Sequence, residues 1–216
     1  MKTKRKINFQ EVFYIFVITS IFGWIVEFIF FYFRNHIFVN HSSLVIGPFS
    51  LAYGFGGALL TLLLYNEEKS SLKKVFGMSF LSATLLEYIM SFGMELVMGF
   101  CAWDYSNLPL NINGRVCLLY SFFWGFLGIG WIKFVYPYFQ KHLKKLNNKL
   151  GRVLMYFLIV FFILDALLTI SAFERMKDER KGIAPKNKYE EFLDHHFGYD
   201  YLNDMYIHID KMEEEK

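Results

Sequence analysis

Five stretches of this 216-residue chain, at about 12–33, 45–65, 75–101, 116–136 and 153–173, are predominantly apolar over 21 residues or more. A helix needs about 20 such residues to cross the hydrocarbon core of a bilayer. One of them could imitate a helix buried in a soluble protein, but a chain this short could not pack five in a row. The expected fold is an all-α, polytopic membrane helix bundle of about five transmembrane helices over residues 1–173. A short polar C-terminal tail, residues 174–216, follows it.

Composition agrees. Hydrophobic residues make up 55% of the chain, Phe, Tyr and Trp alone 20%, and the mean hydropathy is +0.29. Disorder requires low hydrophobicity and high net charge, so it is excluded, and two cysteines exclude a disulfide scaffold. The net charge of +3 is small but unevenly spread. Residues 1–173 carry 15 basic and 8 acidic side chains, and residues 174–216 carry 8 and 12. This describes a membrane block with a polar tail and no nucleic-acid partner. The basic start Met1-Lys-Thr-Lys-Arg-Lys6 resembles that of a signal peptide. The apolar part behind it is too long, contains Glu27 and lacks a small-residue cleavage site, so it reads as a span.

Lys and Arg in the short connections set the orientation. The N-terminus has four, residues 66–74 three and residues 137–152 five, whereas Arg34 and Arg115 stand alone in the alternate connections. The N-terminus is thus expected to be cytoplasmic, and a tail after five spans external. Six basic residues at 174–188 argue for the opposite side, which a re-entrant fifth stretch would reconcile. After the breaker Lys181-Gly-Ile-Ala-Pro-Lys186, the aromatic, mixed-charge run Tyr189 to Met212 predicts a short helix or two near the membrane surface.

Four carboxylates lie inside apolar stretches: Glu27, Glu87, Glu95 and Asp165. An ionised carboxylate facing lipid costs several kcal/mol, so each must face the bundle or be protonated. Glu87, Ser91 and Glu95 recur every four residues and share one helix face. That face is a polar stripe from the bilayer centre to the outer surface. Helix rise puts Glu27 about 7 Å and Glu95 about 10 Å outward of the middle of their spans, with Glu87 and Asp165 near the midplane. Glu27 and Glu95 are therefore expected to look at each other in the outer leaflet. The loop Trp103-Asp-Tyr-Ser-Asn-Leu-Pro-Leu-Asn-Ile-Asn-Gly-Arg115 meets the outer end of the stripe, where Asp104 and Arg115 could pair. The candidate polar pocket is Glu27, Glu87, Ser91, Glu95, Asp104, Asn111, Asn113 and Arg115. Such groups suit a cationic or zwitterionic solute, a proton relay or a lipid head group. The alternative is that they bond one another and orient the helices.

Other residues read as structural. Gly47-Pro48 is expected to open the second span, and Ala52 with Gly56 to allow close helix contact, as do Gly125, Gly128 and Gly130. Gly54 belongs to the same small-residue run. Trp24, Trp103, Tyr105 and Trp124 are framework residues, Trp131 is an interface residue, and Lys133 is expected to reach the inner surface. Arg34, His36 and His41 belong to the other outer loop, and the two histidines read as interface residues. Cys101 and Cys117 bracket the outer loop and fit either a disulfide or two free thiols. No carboxylate–His spacing suggests a metal, and no cofactor is implied. No nucleotide-binding or hydrolase motif is present, which argues against an enzyme and names no catalytic residue.

A family resemblance rests on motifs in order: Gly23-Trp24-Ile-Val-Glu27, Gly47-Pro48 with Tyr53-Gly54-Phe-Gly56, and Glu87 with Gly93-Met-Glu95. Trp103-Asp104-Tyr105-Ser106, Asn113-Gly114-Arg115 and Ser121-Phe-Phe-Trp124-Gly125 complete it. Over residues 10–175 the chain resembles the CmpB-like family of bacterial membrane proteins, which carry the label of ABC-transporter type IV permeases. The tail around Glu191-Phe-Leu-Asp194 looks similar too. The resemblance implies a multi-pass protein of the bacterial cytoplasmic membrane and a transport component. Nothing in the chain hydrolyses ATP, so a separate ATPase subunit is implied, and five spans would need a homodimer to enclose a pathway. The alternatives are an enzyme or binder acting on a lipid or polyprenyl head group, and a non-catalytic membrane scaffold subunit.

Overall fold

The computed structural model describes residues 6–36, 40, 42–99, 101 and 103–205. The chain is an all-α membrane helix bundle. Helix α1, Phe9–Asn35, is started by a reciprocal capping box. The Asn8 side chain accepts from the Glu11 N–H at 2.8 Å and the Glu11 carboxylate accepts back from the Asn8 N–H at 3.4 Å. The helix ends at His36, which adopts the left-handed conformation at φ 56°. Helix α3, Leu72–Met98, starts at the Ser71 hydroxyl and stops at Gly99, whose φ of 80° suits a residue without a side chain. Helix α6, Lys149–Arg180, starts where Asn148 accepts from the Gly151 N–H at 2.8 Å.

The fourth span is longer than the sequence suggested. Helix α4, Leu118–Gly130, continues through a π-helical turn, Trp131–Val135, into α5, Tyr136–Leu146. Pro137 explains the turn: it has no N–H to donate, and its ring crowds the carbonyl four residues back, so the helix widens to accommodate it. Lys133, in that turn, donates to the carbonyls of Glu68 at 2.6 Å and Ser70 at 2.5 Å. Among the described residues four rods are long and apolar enough to cross a membrane: Phe9–Phe33, Leu72–Met98, Leu118–Leu146 and Lys149–Arg180.

The second stretch differs. Helix α2 is Leu51–Leu64, 14 residues, or about 21 Å against a hydrocarbon core of about 30 Å. Residues 42–50 are not helical, and Gly47-Pro48 lies inside this bent segment, with Gly47 at φ 85°, and does not open the helix. The segment runs deep in the bundle. The Ser50 N–H donates to the Ser20 carbonyl at 3.0 Å, about 24 Å along α1 from His36. Irregular backbone at such depth is tolerated only when protein satisfies it. Here Ser42 donates to the Gly47 carbonyl at 2.7 Å, Ser43 N–H to the Phe49 carbonyl at 2.7 Å, and Leu51 N–H to the Ser43 hydroxyl at 2.9 Å. Helix α6 provides the rest: Thr169 Oγ1 accepts from Val45 N–H at 3.0 Å and Asp165 Oδ1 from Ile46 N–H at 3.1 Å.

Glycines let the helices approach. Gly54 faces Ser20 and Phe16, Gly57 faces Thr19, and Gly23 faces the Tyr53 ring, so α1 and α2 meet with no room for a side chain at any of the three. Gly125 faces Phe76 and Gly128 faces Ser79, closing α3 on α4 in the same way. Gly56 turns to Trp124 of α4 and not to α1, and Gly130 faces open space.

Successive long elements run in opposite directions. Gln10 donates to the Leu146 carbonyl and Tyr14 to the Gly151 carbonyl, both at 2.6 Å, so α1 starts where α5 ends and α6 begins. At the other end Met98 packs with Val45, Phe173, Leu193 and Leu202. The tail forms helices α7, Lys188–Phe197, and α8, Tyr199–Met205, at that same end. Between α3 and α4 lies a small antiparallel hairpin, β1 Asn111–Ile112 and β2 Val116–Cys117.

The fifth stretch is therefore a continuous 32-residue helix and not re-entrant; the irregular backbone occurs before α2. The basic residues that suggested a tail on the N-terminal side are largely engaged. Arg175 pairs with Asp194, Lys177 with Glu174 and Lys186 with Asp178, while Arg180 lies over the Tyr199 ring.

Candidate polar site in the bundle

Glu87 sits on α3 facing α4 and is 8% exposed. Its two oxygens take different donors: Oε1 accepts from the Tyr105 hydroxyl and Oε2 from the Trp124 indole N–H, each at 3.1 Å. Hydrogen bonds to a charged acceptor contribute about 1.5–3 kcal/mol each, enough to offset part of the cost of burying it. Tyr105 comes from the loop before β1 and stacks on Tyr120 of α4, with centroids 4.6 Å apart and planes 20° apart. Burial first, and then the Glu87 carboxylate, push the Tyr105 phenol above its ordinary range, so it remains a donor.

Tyr53 of α2 connects this centre to α1. It packs on Gly23 of α1 and lies 5.9 Å from the ring of Trp124, the indole that donates to Glu87. Glu27, two helical turns beyond Ser20 on one face of α1, lies against the Ser50 side chain. Gly23, the seat of the Tyr53 ring, stands one turn before Glu27 on α1.

Glu95 has a different neighbourhood. It forms an ion pair with Arg115. The Arg115 guanidinium also donates to Ser91 Oγ at 3.3 Å and to Cys101 Sγ at 3.4 Å, and lies 5.4 Å from the Phe92 ring centroid and 5.8 Å from that of Tyr88. The hydrogen bond it donates to Glu95 holds the Arg115 pKa up. The expected Asp104–Arg115 pair is replaced, because Asp104 Oδ1 accepts from Ser106 N–H at 2.8 Å and Ser106 Oγ at 2.6 Å. Asn111 donates to the Leu108 carbonyl at 2.8 Å and accepts from Gly114 N–H at 3.1 Å, and Asn113 donates to Tyr88 at 2.9 Å. Trp103 donates to the Arg115 carbonyl at 2.9 Å. These groups brace the hairpin and tie it to α3.

The eight expected residues thus separate: Glu87 meets its aromatic donors, Glu27 lies against Ser50, Ser91 and Glu95 meet Arg115, and Asp104, Asn111 and Asn113 brace the hairpin. Tyr105 and Trp124, read as framework, are the two donors to Glu87. Ser50 and Tyr120 were not singled out by sequence, and Tyr53 only as part of a family motif. Tyr53 lies among small residues whose packing role drew the attention, and Tyr120 carries no spacing signal. Trp24 donates to Asn40 at 2.7 Å, Trp131 donates to Thr61 at 2.7 Å, and Gly54 and Gly125 are packing sites. Cys101 and Cys117 are both free thiols. His36 is exposed; His41 and the Arg34 side chain lie outside the described residues. Among the described residues no three His, Cys, Asp or Glu side chains converge as for a metal ion.

No curated protein and no solved structure shows significant similarity to this chain. A family model does match, over residues 14–170, from the first turns of α1 through α5, with the hairpin and about two thirds of α6. The chain belongs to the family described as "Putative ABC-transporter type IV".

Proposed function

We propose that this chain is the membrane-spanning component of a transporter in which Glu27 and Glu87, joined through Tyr53, bind a small cationic or zwitterionic solute, or a proton, on its way through the bundle. The observation that carries this reading is Glu87 itself: a carboxylate 8% exposed in a transmembrane helix, with donors from two other elements. Intramembrane carboxylates facing the bundle interior mark ion and substrate pathways. The family label points the same way. The chain sits in the bacterial cytoplasmic membrane with its N-terminus and the Lys-rich ends of α5 and α6 inside, as the distribution of basic residues favours. A homodimer and a separate ATPase subunit complete the transporter.

The test compares small-molecule uptake and efflux in cells carrying the wild-type chain, Glu87→Gln, or no copy. Glu87→Gln should match the deletion while inserting at wild-type levels; normal flux in that variant removes the transport role of Glu87. A second reading has its own support, since both Glu87 oxygens are already occupied by rigid aromatic donors. In a scaffold subunit this centre would fix the register of α3, α4 and the hairpin, and Glu87→Gln would weaken assembly with no change in flux.

A further inference from the structure

We propose that the outer part of α6 and the tail form a strap that holds residues 42–50 in place beside Glu27, with Asp165 as its positioning residue. Much of this irregular segment is buried: Ser42, Leu44, Val45 and Ser50 are each below 5% exposed, while Ile46 and Gly47 at its bend are exposed. Its own serines close part of its backbone, but Val45 and Ile46 are held from outside. Val45 N–H donates to Thr169 Oγ1, the Val45 carbonyl accepts from the Tyr201 hydroxyl at 2.9 Å, and Ile46 N–H donates to Asp165 Oδ1. The Thr169 hydroxyl spends its own proton on the Asp165 carbonyl at 2.8 Å, which turns a lone pair toward Val45.

The strap is itself fastened. Arg175, 5% exposed, grips Asp194 of α7 with two parallel bonds, Nε to Oδ1 at 2.6 Å and Nη2 to Oδ2 at 2.9 Å. Val45 packs in one apolar cluster with Ala172, Phe173, Met176, Leu193 and Leu202, from α6, α7 and α8. Asp165 is 2% exposed, and among the described residues its second oxygen has no hydrogen-bond partner. An amide would accept from Ile46 at lower desolvation cost, so stability alone does not account for a carboxylate here.

The segment leads through Ser50, which touches Glu27, directly into α2 and Tyr53. Release of the strap therefore loosens one wall of the site proposed for Glu27 and Glu87. The transport consequence rests on the function proposed above; the strap is measured without it.

The experiment is hydrogen–deuterium exchange on the full chain in lipid nanodiscs, following the peptide that contains residues 42–50. Asp165→Leu and Tyr201→Phe should each speed exchange there by about tenfold, the effect of one lost buried bond, with α1 and α3 unchanged. Asp165→Asn, which keeps the acceptor, should restore wild-type exchange. Unchanged exchange in Asp165→Leu and Tyr201→Phe overturns the proposal, as does equal acceleration throughout the bundle, or Asp165→Asn behaving like Asp165→Leu. A Glu87→Gln chain that transports normally removes the transport reading and leaves this result standing.

Discussion

The Trp124 indole N–H donates to Oε2 of Glu87 at 3.1 Å, tying α4 to α3 through a carboxylate that Tyr105 holds from the other side. One side chain thus fixes the position of two helices and the loop between them. Its removal should be felt in all three.

Glu87→Leu leaves the Tyr105 hydroxyl and the Trp124 N–H without their acceptor. Each unpaired donor costs about 1–3 kcal/mol, so the variant should unfold well below the wild-type temperature in detergent. Glu87→Gln keeps one acceptor oxygen and should lose about half as much. Tryptophan fluorescence during thermal unfolding measures both.

Alkaline pH offers a second check on the same centre. The folded state holds the Tyr105 proton more tightly than the unfolded state, whose phenol titrates near 10. Its contribution is complete below about pH 10 and is lost progressively as pH rises above that value toward the folded-state pKa, because unfolding then releases a proton. Tyr105→Phe should flatten the fall in stability above pH 10 by about 1.4 kcal/mol per pH unit. An equal slope in both proteins would contradict the assignment.

Arg115→Lys should free the hairpin. A lysine cannot reach Glu95, Ser91 and two aromatic faces with one planar group. Limited proteolysis of residues 103–117 should be faster in the variant, with the helices still protected.

Glycine positions give a paired test. Gly125→Ala and Gly54→Ala push a methyl group into Phe76 and into Ser20 with Phe16, and overpacking of this kind costs about 1–3 kcal/mol. Gly77 on α3 has nothing within 4 Å of the position its side chain would occupy. There alanine should stabilise by about 0.5–1 kcal/mol through helix propensity. Thermal unfolding of the three variants should separate them cleanly.

Asp194→Ala strands the Arg175 guanidinium, 5% exposed, without its carboxylate. Breaking a buried pair from one side costs about 3–5 kcal/mol. The tail should detach before the bundle unfolds, seen as selective proteolysis between Arg180 and Met205.

Hydropathy made the long rods legible because each satisfies its own backbone, so side-chain polarity alone decides whether it enters lipid. The same logic failed at residues 42–50. The stretch 45–65 is apolar enough for a span, but the hydrogen bonds of its first residues come from Ser42, Ser43, Asp165 and Thr169, and no local pattern records a partner more than a hundred residues away. Helical periodicity correctly put Glu87, Ser91 and Glu95 on one face. It could not say that the connection after α3 would deliver Arg115 to Ser91 and Glu95 and Tyr105 to Glu87. Asp104 seemed a natural mate for Arg115 by charge, yet the Asp side chain closed on Ser106 two residues away, a short-range bond that costs little chain entropy.

The bonds from Val45 to Thr169 and from Ile46 to Asp165 span 124 and 119 residues of sequence. A ribosome adding about 5–20 residues per second needs about 6–25 s to make that much chain. Through that interval the nascent protein holds two bare amides at a depth where water is scarce. The first two helices consequently reach their final pose only when the last one is threaded into the membrane, which makes biogenesis of this protein a last-in, all-closed event.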